Sequence, residues 1–461
     1  MDRPLQGKDT IRLLTFREQC PHTGDMLSLA MHRSLVSDKY IALSYEWGQR
    51  EPDDPIILVN NRQVQVRKNL YGAIRQIFKH YSRYLEHRRE FQCAHRRKAV
   101  HEPALQGRRF FIPSYMRDRC CDHVVDDWTH RSVCGDRPGE DCYEKALGPW
   151  TSLEDNSFWA EHDPPQLWID ALCINQSHKW EKGGQVRMMG TIFNSATMVL
   201  SWLGLPQDGS DDALRILSMP SEQLPQFMAT DGFTDQLKDA IVSFCERTYW
   251  RRVWILQELI LAQKYVVMCG AGSVTSESLD GALACFSQQA QPIDTRKARE
   301  SYQGIVTSAA NEIVLSKRLA SFCTLSRWLR LCLEANYQAT VPHDYLYALF
   351  SISSDNVKAS IEVRYNKPIV DIYRQLLESL VEDPTSRLNR DWLLGLSQKM
   401  GLSHQEGIAL LNSEYLRRHG DLGELFTGAG SEPEVDLESE TESWPESLNL
   451  SGEEVTTLEE G

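Results

Sequence analysis

LWIDALCINQ (167–176) decides the fold. Leu167, Trp168 and Ile169 form a short apolar run that ends on a carboxylate, Asp170. Such a run, bounded by polar residues, reads as a strand buried on both faces of a parallel sheet. A carboxylate at the C-terminal end of a parallel strand stands where open α/β sheets place their ligand contacts. The plainer alternative is that Asp170 caps the next turn, with Asn175 and Gln176 fixing loop backbone.

Working outward, the neighbouring segments read the same way. YIALSYEWG (40–48) is an apolar strand ended by a turn. Ser44, Tyr45, Glu46, Trp47 and Gly48 leave that strand end and offer a hydroxyl, two aromatics and a glycine, enough to cradle a ring or a phosphate. Turn chemistry with aromatic packing is the competing reading. IRLLTF (11–16) is a further short strand, and IILVNNRQVQV (56–66) is a hairpin turning at Asn60 and Asn61. Helical spacing follows over 69–80 and again over 181–197. TMVLSWLG (197–204) and YVVMCG (265–270) add apolar strands. Strands alternating with helices predict a mostly parallel sheet covered on both faces. Beyond 271 the pattern is mainly helical.

YWRRVWILQEL (249–259) carries the third notable block, within a stretch (236–262) that reads as helix. Glu258 is the one carboxylate in an otherwise apolar run beside Gln257. Spacing by four predicts Trp250, Trp254 and Glu258 on one helical face. A carboxylate among aromatics is costly to ionise, so it is either paired or functional. The pairing candidates are Arg247, Arg251 and Arg252.

The chain has 461 residues and a formal charge of −14. Residues 431–461 hold eleven Asp or Glu and no Lys or Arg, which leaves −3 for everything before them. The folded part is nearly balanced, so nucleic acid and anionic membranes are not expected partners. No apolar run approaches the roughly 20 residues of a membrane span, and the N-terminus lacks a signal-peptide pattern. Cys173, Cys245 and Cys332 lie in apolar runs and read as small buried hydrophobes. A cytoplasmic location follows as the expectation.

Residues 82–150 break the pattern and read as an insertion or long loop. The stretch 82–119 holds ten Lys or Arg against four acids. Cys93, His95, Cys120, Cys121, His123, His130, Cys134 and Cys142 invite a zinc reading. They lack the paired Cys-x₂₋₄-Cys spacing of structural zinc sites, so no metal is expected. There is also no Walker loop, no GxGxxG after a strand, no HExxH and no GxSxG. Readings as a P-loop phosphoryl transferase, classical dehydrogenase or serine hydrolase lose their usual support.

Taken together and in order, the three blocks resemble the fungal heterokaryon incompatibility (HET) domain family. Its Tyr-x-Ala-Leu-Ser-Tyr-x-Trp-Gly block is matched by Tyr40, Ala42, Leu43, Ser44, Tyr45, Trp47 and Gly48. Its Trp-Ile-Asp-x-x-Cys-Ile-Asn-Gln block is matched by Trp168, Ile169, Asp170, Cys173, Ile174, Asn175 and Gln176. Glu181, Gln185, Met189 and the Trp202-Leu203-Gly204 end follow, and Arg252, Trp254, Gln257 and Glu258 match the last block. The likeness covers about 38–270; the long 82–150 segment departs from it.

The resemblance implies allorecognition or a cell-death response after fusion of unlike fungal cells. It also implies a remote relation to TIR domains, hence a TIR-like, flavodoxin-like α/β fold. In NAD-cleaving TIR enzymes the glutamate in the position of Glu258 is catalytic. By that likeness Glu258 is the catalytic candidate, and Ser44, Tyr45, Trp47, Asp170 and Trp254 line the pocket. NAD+ would be a substrate, with no cofactor. The nicotinamide–ribose bond breaks through an oxocarbenium-like state, which one carboxylate can stabilise. Nicotinamide leaves as a neutral base, so no separate general acid is required. The rival expectation is a non-enzymatic signalling and self-association module. A third, a zinc or nucleic-acid regulator built on 82–150, has less support. The expected organisation is a HET domain over 1–270 with the 82–150 insertion, a helical region over 271–400, and a linker with an acidic disordered tail over 401–461. Expected partners are copies of the chain, through the HET domain, and an incompatibility protein not identified by the sequence.

Overall fold

The computed structural model describes residues 9–17, 26–101, 162–289, 302–320, 323–354, 361–382 and 390–419, with Leu5, Gly7 and Trp159. The predicted strands form at the predicted places: β1 (Thr10–Phe16), β3 (Ile41–Tyr45), β6 (Gln166–Trp168), β7 (Met198–Trp202) and β8 (Tyr265–Cys269). The hairpin β4 (Ile56–Val59) to β5 (Arg62–Gln65) turns through Asn60 and Asn61 at φ 50° and 62°. Two successive left-handed residues give the turn whose twist matches paired strands, and asparagine tolerates that region best after glycine.

The nine strands of the described residues, among them β2 (Ser28–Leu35) and β9 (Gly272–Thr275), join one sheet, in the order β5-β4-β2-β1-β6-β3-β7-β8-β9. The expectation of a mostly parallel sheet is corrected to a mixed one. Parallel pairing holds the centre, where β6, β3, β7 and β8 lie side by side. Antiparallel pairs flank it: β1 with β2 and with β6, and β8 with β9. The edge hairpin β4–β5 is antiparallel too. The physical reason is connection length. Short links allow only hairpins, while parallel neighbours need a crossover of a dozen or more residues. The central strands have those crossovers, and so does the flanking parallel pair β2–β4, whose connection runs through β3; the hairpins β1–β2, β4–β5 and β8–β9 have short links.

Central burial explains their composition. Every residue of β3, β7 and β8 is buried, as continuous apolar strands in the middle of a two-sided sheet must be. The chain leaves β3 toward β6 on one side, then passes from β6 over β3 to β7 on the other. The connections leaving β3 and β7 therefore run in opposite directions, which puts the switch-point crevice at the C-terminal ends of these two neighbours, with the end of β6 beside β3.

The helices follow from capping and amphipathicity. α1 runs Lys68–His101, so the helix expected over 69–80 continues into the segment read as an insertion. Residues 102–150 lie outside the described residues. After β6 come the single turn α2 (Asp170–Cys173) and α3 (Lys179–Ser195), whose first turn is capped by the His178 ring accepting from the Glu181 N–H at 3.1 Å. The stretch 236–262 is not one helix. It breaks into α4 (Asp235–Cys245), a 3-10 turn (Thr248–Arg251) and α5 (Val253–Ile260). After β9 the described residues are mainly helical, including α6 (Leu325–Glu334), α7 (Ile369–Glu382) and α8 (Arg390–Lys399). Residues 404–419, read as the start of a linker, form a helix (α9, His404–His419) against α7 and α8. The acidic tail lies outside the described residues. No helix among the described residues is long and apolar enough to cross a membrane.

Candidate functional site

The crevice gathers all three blocks. Ser44 sits at the end of β3, 1% exposed, and its hydroxyl donates to Glu258 Oε2 on α5. The two residues are 214 apart in sequence. The Tyr249 hydroxyl, also buried, lies 2.8 Å from Ser44 Oγ. Ser44 is thus wired into the site from both sides; Tyr249 was not singled out from sequence, although it opens the third block.

Glu258 itself is 4% exposed. Arg252 donates to both of its oxygens, Nη1 to Oε2 at 3.1 Å and Nη2 to Oε1 at 3.2 Å. Of the three arginines weighed as partners, only Arg252 takes this role. Arg247 spends its guanidinium on the carbonyls of Leu203, Leu205 and Gln207. Arg251 turns to Glu246 and to the Ala335 carbonyl.

On the other wall, the Trp47 indole N–H donates to Asp170 Oδ2 at 2.7 Å, and the Ala171 N–H donates to Asp170 Oδ1 at 2.6 Å. Asp170 therefore also caps its own turn, as the plainer reading had it. The guanidinium of Arg67 stacks over the Trp47 ring, 5.0 Å from its centroid. Burial, reinforced by the charge of Glu258, raises the Asp170 pKa to about 6. Burial and then the charge of Asp170 push the Tyr45 hydroxyl well above its ordinary range. Two carboxylates that feel each other, one of them held near neutrality, are the kind of pair that divides acid and base roles.

The loop after Asp170 is pinned from β1. Arg12 and Glu181 form a doubly hydrogen-bonded ion pair with side chains 4% and 2% exposed. Arg12 also donates to the Cys173 carbonyl at 2.8 Å, and Glu181 accepts from the Asn175 N–H at 2.9 Å. Gln176 donates to the Asp170 carbonyl at 3.2 Å, and Asn175 accepts from the Ser177 N–H. Cys173, Cys245 and Cys332 are buried thiols. The block's polar residues hold the loop that presents Asp170.

Trp254 joins a different group. Its indole lies near Asp344 and works to lower that carboxyl's pKa, and Asp344 accepts from the Tyr365 hydroxyl at 2.7 Å. The expectation that Trp250, Trp254 and Glu258 share one helical face fails for Trp250. Arg252 is extended (φ −72°, ψ 131°) and starts α5 afresh, so Trp250 belongs to the preceding 3-10 turn. There its indole donates to the Phe244 carbonyl at 2.9 Å.

Among the described residues no group of three or more His, Cys, Asp or Glu is arranged to hold a metal. Cys120, Cys121, His123, His130, Cys134 and Cys142 lie outside the described residues, as do the side chains of Cys93 and His95. A surface groove lined by Leu333, Trp392, Gly395 and Lys399 lies in the C-terminal helices, apart from this cluster.

The family model described as heterokaryon incompatibility protein (HET) matches residues 157–258, ending on Glu258. A Neurospora crassa protein named heterokaryon incompatibility protein 6, OR allele, is 30% identical over 159 residues. That alignment covers 27% of this chain and 23% of the relative, so the chain matches about a quarter of the relative's length. No solved structure is significantly similar. The matched interval contains the second and third blocks, and the first block is built into the same sheet as β3, between β6 and β7. Residues 157–258 of the chain are therefore similar to the heterokaryon incompatibility (HET) family.

Proposed function

We propose that the HET domain cleaves NAD+ at the nicotinamide–ribose bond, within an incompatibility and cell-death response triggered when unlike fungal cells fuse. The carrying observation is the convergence of Ser44, Asp170 and Glu258 on one buried cluster at the sheet's C-terminal crevice. The order of the parallel strands supports a flavodoxin-like, TIR-like relation: β3, β6, β7 and β8 are arranged 2-1-3-4 when numbered along the chain. The printed name of the Neurospora relative supports the incompatibility role.

In this reading the C1′–N1 bond breaks and its electron pair leaves with nicotinamide, which becomes neutral. Glu258 stabilises the positive charge developing on the ribose. Water then bonds to C1′ and gives up a proton to solvent or to a carboxylate, leaving ADP-ribose. Asp170 is suited to that proton, since its pKa lies near the working pH. Ser44 orients Glu258. Tyr45, Trp47 and Asp170 line the pocket, with the Trp254 ring one turn before Glu258. The domain works in the cytoplasm, in self-associated form, with an incompatibility partner protein upstream. The test is NAD+ loss and nicotinamide release by concentrated full-length protein. Wild type is expected to consume NAD+ and Glu258→Gln to lose at least 100-fold. Equal rates in the two remove Glu258 from the chemistry.

A second reading, a non-enzymatic signalling and self-association module, is favoured by one observation: both Glu258 oxygens are engaged by Arg252. There Glu258→Gln lowers the melting temperature, and no assembled form of the wild type consumes NAD+.

A further inference from the structure

Helix α5 begins abruptly at Val253 because the residue before it is held extended from elsewhere. Gln338 runs alongside Arg252 as a parallel bridge. Its N–H donates to the Arg251 carbonyl at 2.6 Å, and its carbonyl accepts from the Val253 N–H at 2.9 Å. The backbone of Arg252 is therefore clamped on both sides by one residue 86 positions later. The clamp is itself braced. Asn336 sits in the left-handed region at φ 53°, and its side-chain oxygen accepts from the Gln338 amide at 2.8 Å and from the ammonium of Lys399 on α8. Arg251 donates to the Ala335 carbonyl in the same segment.

What the clamp aims is the Arg252 guanidinium. It covers Glu258 with two hydrogen bonds while Ser44 donates to the same carboxylate. The side chain of Glu258 is 5% exposed and that of Arg252 17%. Arg252 is the more exposed member of the pair and occupies both oxygens of Glu258, the positions a ribose hydroxyl would need. We infer that Arg252 is a latch that keeps Glu258 closed, and that residues 335–338 of the C-terminal region set it. The inference rests on the reading of Glu258 as the working carboxylate and names how that site is regulated.

The chemistry suits a reversible device. A buried ion pair gains Coulomb energy but loses hydration on both ions, so its net balance is small and a modest displacement can tip it. Opening does not orphan either charge. Glu258 keeps the Ser44 hydroxyl, and Arg252 already feels Asp170, a second carboxylate toward which it can move. The Tyr249 ring, 5.9 Å from the guanidinium, offers it a further resting face. A partner or a second copy that pulled residues 335–338 away would release the backbone of Arg252 and uncover Glu258. The latch lever lies beyond the family-matched interval, which ends at 258.

Carboxyl labelling of the full chain with a water-soluble carbodiimide and glycine ethyl ester, read by peptide mass spectrometry, tests this without relying on activity. Glu334, with a 66% exposed side chain, is the reference for free reaction, and Glu181, 2% exposed, reports any unfolding. In wild type Glu258 should be protected like Glu181. In Gln338→Pro, which removes the N–H to Arg251, and in the conservative Arg252→Lys, Glu258 should label at least 5-fold faster while Glu181 stays protected. NAD+ turnover is measured on the same samples and should rise in Gln338→Pro. If Gln338→Pro exposes Glu181 as well, Lys399→Ala, which loosens the brace from outside the core, replaces it with the same expectation. Unchanged Glu258 labelling in Arg252→Lys overturns the latch. So does faster labelling with turnover reduced to the Glu258→Gln level, which would make Arg252 part of the working machinery. Faster labelling with no NAD+ loss in any sample keeps the latch and removes the NAD+ reading.

Discussion

Trp47 and Asp170 are 123 residues apart, yet the indole N–H of the first donates to Oδ2 of the second at 2.7 Å. This contact joins the ends of β3 and β6, and it carries a linkage that stability measurements can read. Burial, then the charge of Glu258, raises the Asp170 pKa from 3.8 to about 6, against the lowering effect of the Trp47 bond. A carboxyl with a raised folded-state pKa binds its proton more tightly when folded than when unfolded. Its favourable contribution is complete below the unfolded pKa near 3.8 and is lost as pH rises through 6.

Asp170→Asn removes that titration. Relative to wild type, the variant should gain stability as pH rises from 4 to 7, by roughly 3 kcal/mol at most over the window. Denaturant melts of both proteins at several pH values measure the difference. A difference that stays flat across the window would contradict the shifted carboxyl.

The Arg12–Glu181 pair makes a second, structural prediction. Burial works against the ionised Glu181, but the hydrogen bonds from Arg12, Asn175 and Leu5 win and its pKa is lowered. Glu181→Gln leaves Arg12 buried without its carboxylate, which costs about 3–5 kcal/mol for an ion this enclosed. Replacing both residues by apolar ones of similar volume should recover much of the loss, because the desolvation of both ions then disappears. Urea unfolding of wild type, single and double variants gives the comparison; a loss below about 1 kcal/mol in the single variant would show the pair to be solvent-relaxed.

Much of the sheet was legible because its central strands are continuous apolar runs, and the hairpin because Asn60 and Asn61 mark its turn. β2 was not, since SLAMHRSL (28–35) exposes His32 and Arg33 and lacks the alternation of a half-buried strand. The site was half legible. Strand-end chemistry pointed to Ser44 and Asp170, and apolar context pointed to Glu258. Which arginine pairs with Glu258 depends on how the backbone enters α5, and Gln338 decides that from 86 residues away. Helical periodicity has no access to such a contact, which is also why the shared face assumed for Trp250 failed.

Gly190 shows where local propensity and packing disagree. It lies in α3, and a Cβ there would stand 2.2 Å from Cβ and 2.3 Å from Oγ of Ser351, and 3.2 Å from a methyl of Leu261. Helix propensity alone says Gly190→Ala should stabilise by about 1 kcal/mol. The overlap is with a Cβ held next to the backbone, so the C-terminal segment must shift, at about 1–3 kcal/mol. Gln257 of α5, with its amide turned to suit its neighbours, bridges the same place by accepting from the Gly190 N–H and donating to the Ala348 carbonyl. The variant should melt lower than wild type; a higher melting temperature would show the segment to be loosely seated.

Trp254 and Asp344 give the last test, because the sequence and the structure direct the Trp254 side chain differently. The HET resemblance makes Trp254 a pocket wall, whereas its indole lies near Asp344 of the C-terminal region and works to lower that carboxyl's pKa. Asp344 is 9% exposed and its pKa is raised by burial in spite of the nearby Trp254 indole and the bond from Tyr365. Trp254→Phe keeps an aromatic ring and removes only the N–H. It should lower stability by about 1 kcal/mol or somewhat more, since a donor to a buried carboxyl is lost. Asp344→Asn should lower it comparably, and the double variant should fall short of the sum by about 1 kcal/mol, as contacting residues do in a double-mutant cycle. Additive losses would detach Trp254 from Asp344 and leave its ring free to face the crevice beside Glu258.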